Sequence, residues 1–264
     1  MKKTICTIIF VAYALLCMAS NEKATLECVY RLTYLTDTIN NRNVEAMMVL
    51  RLGNSSSLFY PQAKFESDSL SRNVGSISEL HAIQDSIRQR YGRITATYYV
   101  MKDYEKNQLD FYDRVIQTYK YTEALPVFDW QYMDEKKMIG QYECQKATCK
   151  FGGREYEVWF APDIPISDGP WKFNGLPGLV MEANDVQHHY EFQFLGMRPC
   201  AGEIAVPEDE YVKTSKGDFL RLKQLSIDDP NAILAGVAAT MGIKGDKLPK
   251  RHFYKTMEFA ETVK

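Results

Sequence analysis

The sequence predicts a mainly β protein of the α+β kind, one curved antiparallel sheet with two or three helices against its inner face. Three observations carry this. Segments of alternating apolar and polar residues recur along most of the chain. They follow one another through hairpin signals such as Gly152-Gly153 and Asn184-Asp185. Helical punctuation appears in only a few places, around residues 76–92 and after residue 214.

Residues 1–20 read as a secretory signal peptide. Lys2 and Lys3 open it, Ile5 to Leu16 form an apolar run too short to span a bilayer, and Ala19 and Ser20 suit cleavage. Cys17 raises a lipoprotein reading, which the preceding Leu15 and Leu16 fit poorly, and a membrane anchor is a further alternative. Without these residues the formal charge goes from -2 to -4. A mildly acidic chain lacks the basic face that nucleic-acid binding needs. Residues 21–264 then form a single domain, because no repeat and no linker-like composition interrupts them.

The strands come in order. Leu26, Cys28, Tyr30, Leu32 and Tyr34 alternate with polar residues, and residues 46–52 make a second strand. Gly53 to Ser57 turn the chain into Leu58-Phe59-Tyr60. Residues 61–76 are polar and Ser-rich. Ser76 with Glu79 forms a capping box, Ile77, Leu80, Ile87 and Tyr91 mark one apolar side, and Gly92 closes a helix. Ile94–Met101 and Asp110–Tyr121 read as strands, and Phe128-Asp129-Trp130 begins another. Ile139 to Phe151 and Arg154 to Phe160 form a hairpin through Gly152-Gly153, and Leu179–Ala183 and His189–Gly196 follow. Residues 214–226 look helical, Asp229-Pro230 starts a short helix through Met241, and the last 20 residues read as polar and loosely held.

Between two of these strands runs Ile164 to Val180, with three Pro and three Gly in 17 residues. It is apolar and aromatic, so it is no ordinary solvated loop. Its prolines lack amide donors, so it crosses over between strands rather than forming one. Trp171 and Phe173 anchor that crossing. Trp171, Phe173, Leu176, Pro177 and Leu179 are the candidate rim of a binding site, second to a structural role.

Other constellations speak more weakly. His188 and His189 are neighbours, so on a regular strand they face opposite ways and cannot share one ion. The surrounding residues read as a surface turn. A hydrolase using either histidine with a nearby carboxylate (Asp168, Glu182, Asp185 or Glu191) is the least favoured reading, because no spacing sets two carboxyls at a working separation. No catalytic residue, metal ligand or cofactor is expected. Gly175-Leu176-Pro177-Gly178 is no phosphate loop, since Pro177 removes a donor and no Lys-Ser/Thr pair follows. Cys28, Cys144, Cys149 and Cys200 follow the signal, and their pairing stays open. Cys144 and Cys149 would face opposite sides of one strand and so not pair with each other. The aromatic faces either fill a core or line a ligand groove.

The chain resembles the GLPGLI family of exported proteins of unknown function. The likeness rests on Gly140 to Thr148, Gly153-Arg154-Glu155-Tyr156, Trp159-Phe160, Ile164-Pro165, Gly169-Pro170-Trp171-Lys172-Phe173 and Gly175-Leu176-Pro177-Gly178-Leu179, with Val180 in place of the family's final Ile. A closing Asn-Pro-Ile-Glu-like segment is expected, and Lys255-Thr256-Met257-Glu258 departs from it. A more distant fold likeness is to LolA-like lipoprotein carriers, half-barrels that hold acyl chains. The sheet pattern, the aromatic faces and the export signal, read beside these resemblances, lead to the expectation of a non-enzymatic LolA-like half-barrel in the periplasm or at the outer membrane. It would bind a hydrophobic ligand, lipid or peptide. The alternative is an interaction accessory of an outer-membrane transport or secretion system, docking an outer-membrane protein partner.

Overall fold

The computed structural model describes residues 21–37, 40–207, 210–233, 235 and 257–258. The expected signal peptide, Cys17 and most of the helix expected through Met241 lie outside these residues; residues 230–233 are helical, with Asp229 accepting from the Ala232 amide. The expected mainly β fold is what forms. Its first six strands are β1 (Leu26–Asp37), β2 (Arg42–Leu52), β3 (Ser56–Pro61), β4 (Tyr99–Asp103), β5 (Gln108–Arg114) and β6 (Thr118–Ala124). The others are β7 (Gln131–Ile139), β8 (Tyr142–Phe151), β9 (Arg154–Ala161), β10 (Leu179–Asp185), β11 (Tyr190–Pro199) and the two-residue β12 (Val212–Lys213). The helices α1 (Gln62–Ser71), α2 (Ile77–Tyr91) and α3 (Lys216–Asp228), with the helical residues 230–233, complete the described elements.

All twelve strands join one sheet in the order β12-β6-β5-β4-β3-β2-β1-β11-β10-β9-β8-β7. Two antiparallel meanders, β1–β6 and β7–β11, meet where β1 pairs β11. That order has a geometric consequence. In a flat sheet β6 and β7 would stand ten strand spacings apart, roughly 48 Å. Yet residues 125–130 alone join Ala124 to Gln131, a path of about 25 Å at full stretch. The sheet must therefore curl until its two ends approach each other. The result is curved but not closed.

The inward residues of both meanders form one large apolar cluster, with Tyr30, Leu32, Met48, Phe59, Phe111, Tyr156, Phe160 and Phe192 among its members. A smaller cluster of Val49, Leu58, Tyr60, Tyr99 and Tyr112 lies on the opposite face, against Phe65 of α1. Every residue of β3 is buried, because the strand is covered on both sides. Aromatic contact seals the outer cover: the Phe65 ring centroid stands 4.2 Å from that of Tyr60, and the Arg51 guanidinium lies 4.9 Å from the Phe65 ring.

The structure corrects several expectations. The polar stretch 61–76 holds α1, whose amphipathicity is hidden because Lys64 is buried with its ammonium on Asp68. Thus α1 packs on the outer face, while α3 brings Phe219 and Leu220 to the inner cluster. Helix α2 has the expected Ser76 cap, accepting from the Glu79 amide at 3.2 Å, and Gly92 has φ of 74°. Its apolar side is not a core face, since Ile77 is 74% exposed and only Ile87 is buried. Asp110–Tyr121 is not one strand: it divides into β5 and β6 around Val115-Ile116-Gln117. Residues 94–98 precede β4 rather than belonging to it.

Gly152 and Gly153 have φ of 59° and 80°, as a two-residue hairpin turn between β8 and β9 requires. Gly178 is glycine for a different reason. A Cβ there would lie 2.2 Å from the Ala161 carbonyl oxygen, because the start of β10 runs directly against the end of β9. Gly178→Ala should therefore cost about 1–3 kcal/mol through forced backbone displacement, read as a lower urea midpoint. An unchanged midpoint would show that the two segments do not approach so closely.

Candidate functional site

The candidate site is built by the crossing from β9 to β10, residues 162–178. It folds as a series of tight bends: the Ile166 amide donates to the Ile164 carbonyl, the Asp168 amide to Ile166 and the Phe173 amide to Pro170. Asp168 and Asn174 form an isolated bridge, and Trp171 at its tip adopts φ of 51°. A bulky residue in the left-handed region is costly and needs strong support.

That support is ionic. Lys102 on β4 is fully buried. Its ammonium group donates to the Asp168 carboxylate, to the Gly169 carbonyl at 3.1 Å and to the Phe173 carbonyl at 2.9 Å. One cation thus ties together the two ends of the Gly169–Phe173 bend. Asp168 also accepts from the Tyr104 hydroxyl and, at 2.6 Å, from the Gly169 amide. Burial pulls the Lys102 pKa down and Asp168 opposes that shift. A buried ion pair is weak evidence for net stability, but removing one partner strands the other.

The second lysine lies inside the crossing itself. Lys172, also fully buried, donates to the Tyr121 hydroxyl at 2.8 Å, to Glu123 at 2.5 Å and to Glu258. Lys216 on α3 reaches the other oxygen of both carboxylates, at 2.8 Å for Glu123. Two cations and two anions alternate in a ring. The Lys172 ammonium also sits 5.2 Å from the Tyr121 ring and 5.3 Å from the Phe111 ring. Burial by itself raises the Glu258 pKa, but Lys172 and Lys216 outweigh it and hold the carboxyl below its ordinary value.

Beside this ring lies a cavity of about 140 Å³. Tyr34 and Tyr190 stack at 6.0 Å on its lining, and Phe111, Tyr121 and Phe219 pack together with centroids 5.1–5.8 Å apart. Trp171 and Met257 complete its apolar surface, while Asp113, Lys223 and Glu258 bring charge. Lys223 and Thr97 both donate to Asp113, at 2.7 and 2.6 Å.

Of the five proposed rim residues, Trp171, Phe173, Leu176 and Leu179 are buried and Pro177 is exposed. Trp171 lines the cavity. Phe173 packs between Trp171 and Tyr156, and the Trp130 indole donates to the Asn174 carbonyl at 2.9 Å. Neither the Lys102–Asp168 brace nor the ring of Lys172, Lys216, Glu123 and Glu258 is among the sequence expectations. The available signal was a lone lysine inside apolar runs, Tyr99-Val100-Met101-Lys102 and Trp171-Lys172-Phe173. Of the last 20 residues, expected to be loosely held, all but Met257 and Glu258 lie outside the described residues; these two are buried, and the Tyr156 hydroxyl donates to the Met257 carbonyl at 2.9 Å.

The histidines are separate from this site. His188 lies in the turn between β10 and β11, with Nδ1 2.7 Å from Glu191. His189 stands beside the buried Arg154–Asp185 pair, its Nδ1 3.1 Å from Arg154. Among the described residues no cluster of three metal-ligating side chains forms, and no helix is long and apolar enough to cross a membrane. Cys28, Cys144, Cys149 and Cys200 are free thiols, the first three buried. Burial pushes the Cys28 and Cys149 thiols up to about 12.

Residues 153–182 match the model of a family described as a protein of unknown function, Porph_ging. That is the GLPGLI family. The matched segment runs from the β8–β9 turn through the crossing into β10, so the resemblance stands on the structure just described. No curated protein matches the chain. Similar solved structures include PNGF-II in the P21 and C2 space groups, each at 10% identity and a TM-score of 0.51. They cover 75% and 77% of this chain, which spans 33% of the PNGF-II chains. At that identity the likeness speaks for the fold alone, and it lends nothing to the LolA-like comparison.

Two predictions follow from the geometry. Trp171→Ala should lower stability by about 3–5 kcal/mol in chemical unfolding, since the ring is buried among aromatic neighbours; a loss near zero would mean the ring is not packed there. Glu258 should supply an acid-sensitive part of the stability. Its folded pKa lies below the unfolded value, so its contribution is complete above the ordinary carboxylate range and is lost as pH falls through the folded pKa. Urea midpoints of the wild type and Glu258→Gln, compared from neutral to acid pH, should converge on acidification. A gap of constant size would remove Glu258 from the pH dependence.

Proposed function

We propose that the protein is an exported, non-enzymatic binding protein of the periplasm or outer-membrane surface, and that its aromatic cavity takes one apolar group of a hydrophobic ligand, lipid or peptide. The observation that supports this most is the cavity itself. It lies against the main apolar cluster, at a place where aromatic faces from both meanders converge. Apolar cavities of about 150 Å³ accept a benzene-sized molecule. The space here, about 140 Å³, suits one ring or the end of one chain and does not enclose a whole lipid. Export is supported by the signal-like residues 1–20.

The alternative, an interaction accessory of an outer-membrane system, has an observation of its own. Strand β7 is an open edge, with Tyr132 and Met138 exposed on it. Docking through the Gly/Pro-rich crossing has less support, because Trp171 and Phe173 are buried.

The cavity reading is tested with 3-phenylpropan-1-ol, a neutral ring-bearing probe. Saturation-transfer NMR and calorimetry should show it binding the wild type. Ala96 lines the cavity and is buried, so Ala96→Phe should fill the space and weaken binding by about tenfold or more. Equal binding to the two proteins would place the ligand elsewhere.

A further inference from the structure

The ring of charge beside the cavity is unusual in its membership. Lys172, Lys216 and Glu123 come from the crossing, α3 and β6. The fourth member, Glu258, comes with Met257 from a segment that belongs to none of the described strands or helices. Both residues line the cavity. The Glu258 carboxylate gives one oxygen to each lysine, while Glu123 does the same from the other side at 2.5 and 2.8 Å.

Without Glu258 the three remaining members would carry one net positive charge. Lys172 is fully buried, so solvent does not screen that charge there. The position therefore requires a carboxylate, held by two ammonium groups through charge-assisted hydrogen bonds. Nothing in the geometry of the two lysines requires that carboxylate to belong to this chain. The adjoining space is ring-sized and mainly apolar, and the one further carboxylate on its lining, Asp113, is paired with Lys223 at 2.7 Å.

We propose that Lys172 and Lys216 form a carboxylate-binding site, which Glu258 occupies in the ligand-free protein and which a small amphiphilic carboxylate takes over by exchange. The ligand sets its carboxylate on the two ammonium groups and its apolar end in the cavity. Glu258 is then an internal competitor that keeps the buried ring neutral until such a ligand arrives. The ligand class is an aryl-alkanoate or short-chain fatty carboxylate, sized to the cavity. This rests on the cavity being a ligand site.

The test compares 3-phenylpropionate with 3-phenylpropan-1-ol, which share the ring and differ in the charged end. Calorimetry on the wild type and Glu258→Gln should show 3-phenylpropionate binding the variant about tenfold more tightly. The alcohol's affinity should change by less than about twofold. Adding Lys216→Met to Glu258→Gln should remove the gain for the acid. If Glu258→Gln does not fold, Glu258→Asp retracts the carboxylate by one methylene and should give a smaller gain of the same sign. Acid and alcohol responding alike to these substitutions overturns the carboxylate site and leaves the cavity reading standing. Neither probe binding any of the proteins overturns both.

Discussion

The structure depends on a short connection between the two ends of its sheet. Residues 125–130 must carry the chain from β6, next to one edge, to β7 at the other. Twelve strands cannot satisfy that link while flat, so the sheet curls and acquires an inside. An inside must be filled, and the apolar cluster there draws on both meanders. The crossing between β9 and β10 adds Ile164, Trp171, Phe173 and Leu176 to it. Its contacts reach back to the link that made it necessary, through Trp130 to the Asn174 carbonyl and through Asn174 to the Pro126 carbonyl at 3.2 Å.

A segment without regular strand hydrogen bonds is a poor core filler unless its polar backbone groups find partners. Lys102 answers that need with one ammonium group bound to two carbonyls and a carboxylate. Lys172, three residues from Gly169, enters the four-member charge ring, whose member Glu258 lines the cavity. Structural support and the candidate binding site thus share one short peptide. That peptide also lies within the segment matched by the family model.

Much of the fold was legible because most strands have one buried face, and period two reads such strands directly. Val158 and Phe160 are buried, as their alternation implied. The misreadings have physical causes. Helix α1 was hidden because its buried residue is a lysine neutralised by Asp68. The β5–β6 turn was missed because Val115-Ile116-Gln117 carries no Gly, Pro, Asn or Asp and continues the alternation. The crossing was recognised from its prolines and glycines, but its ionic supports come from positions up to 86 residues away, Lys172 to Glu258. No local pattern contains such a partner. The two-sided burial of β3 likewise depends on a helix that composition alone did not announce.

The seam between β1 and β11 brings together residues 156 to 173 positions apart, Tyr34 with Tyr190 and Leu26 with Pro199. Every other pair except β12 with β6 joins strands consecutive in the chain, the widest being β3 with β4, whose partners are 41 to 47 positions apart. The entropy of closing a long loop therefore falls mainly on one row of hydrogen bonds. Until β11 has been synthesised and has found β1, the first meander carries an open, apolar strand edge. On a growing chain that edge is a template for the wrong partner, so the order in which the two halves appear bears on how safely this protein reaches its native state.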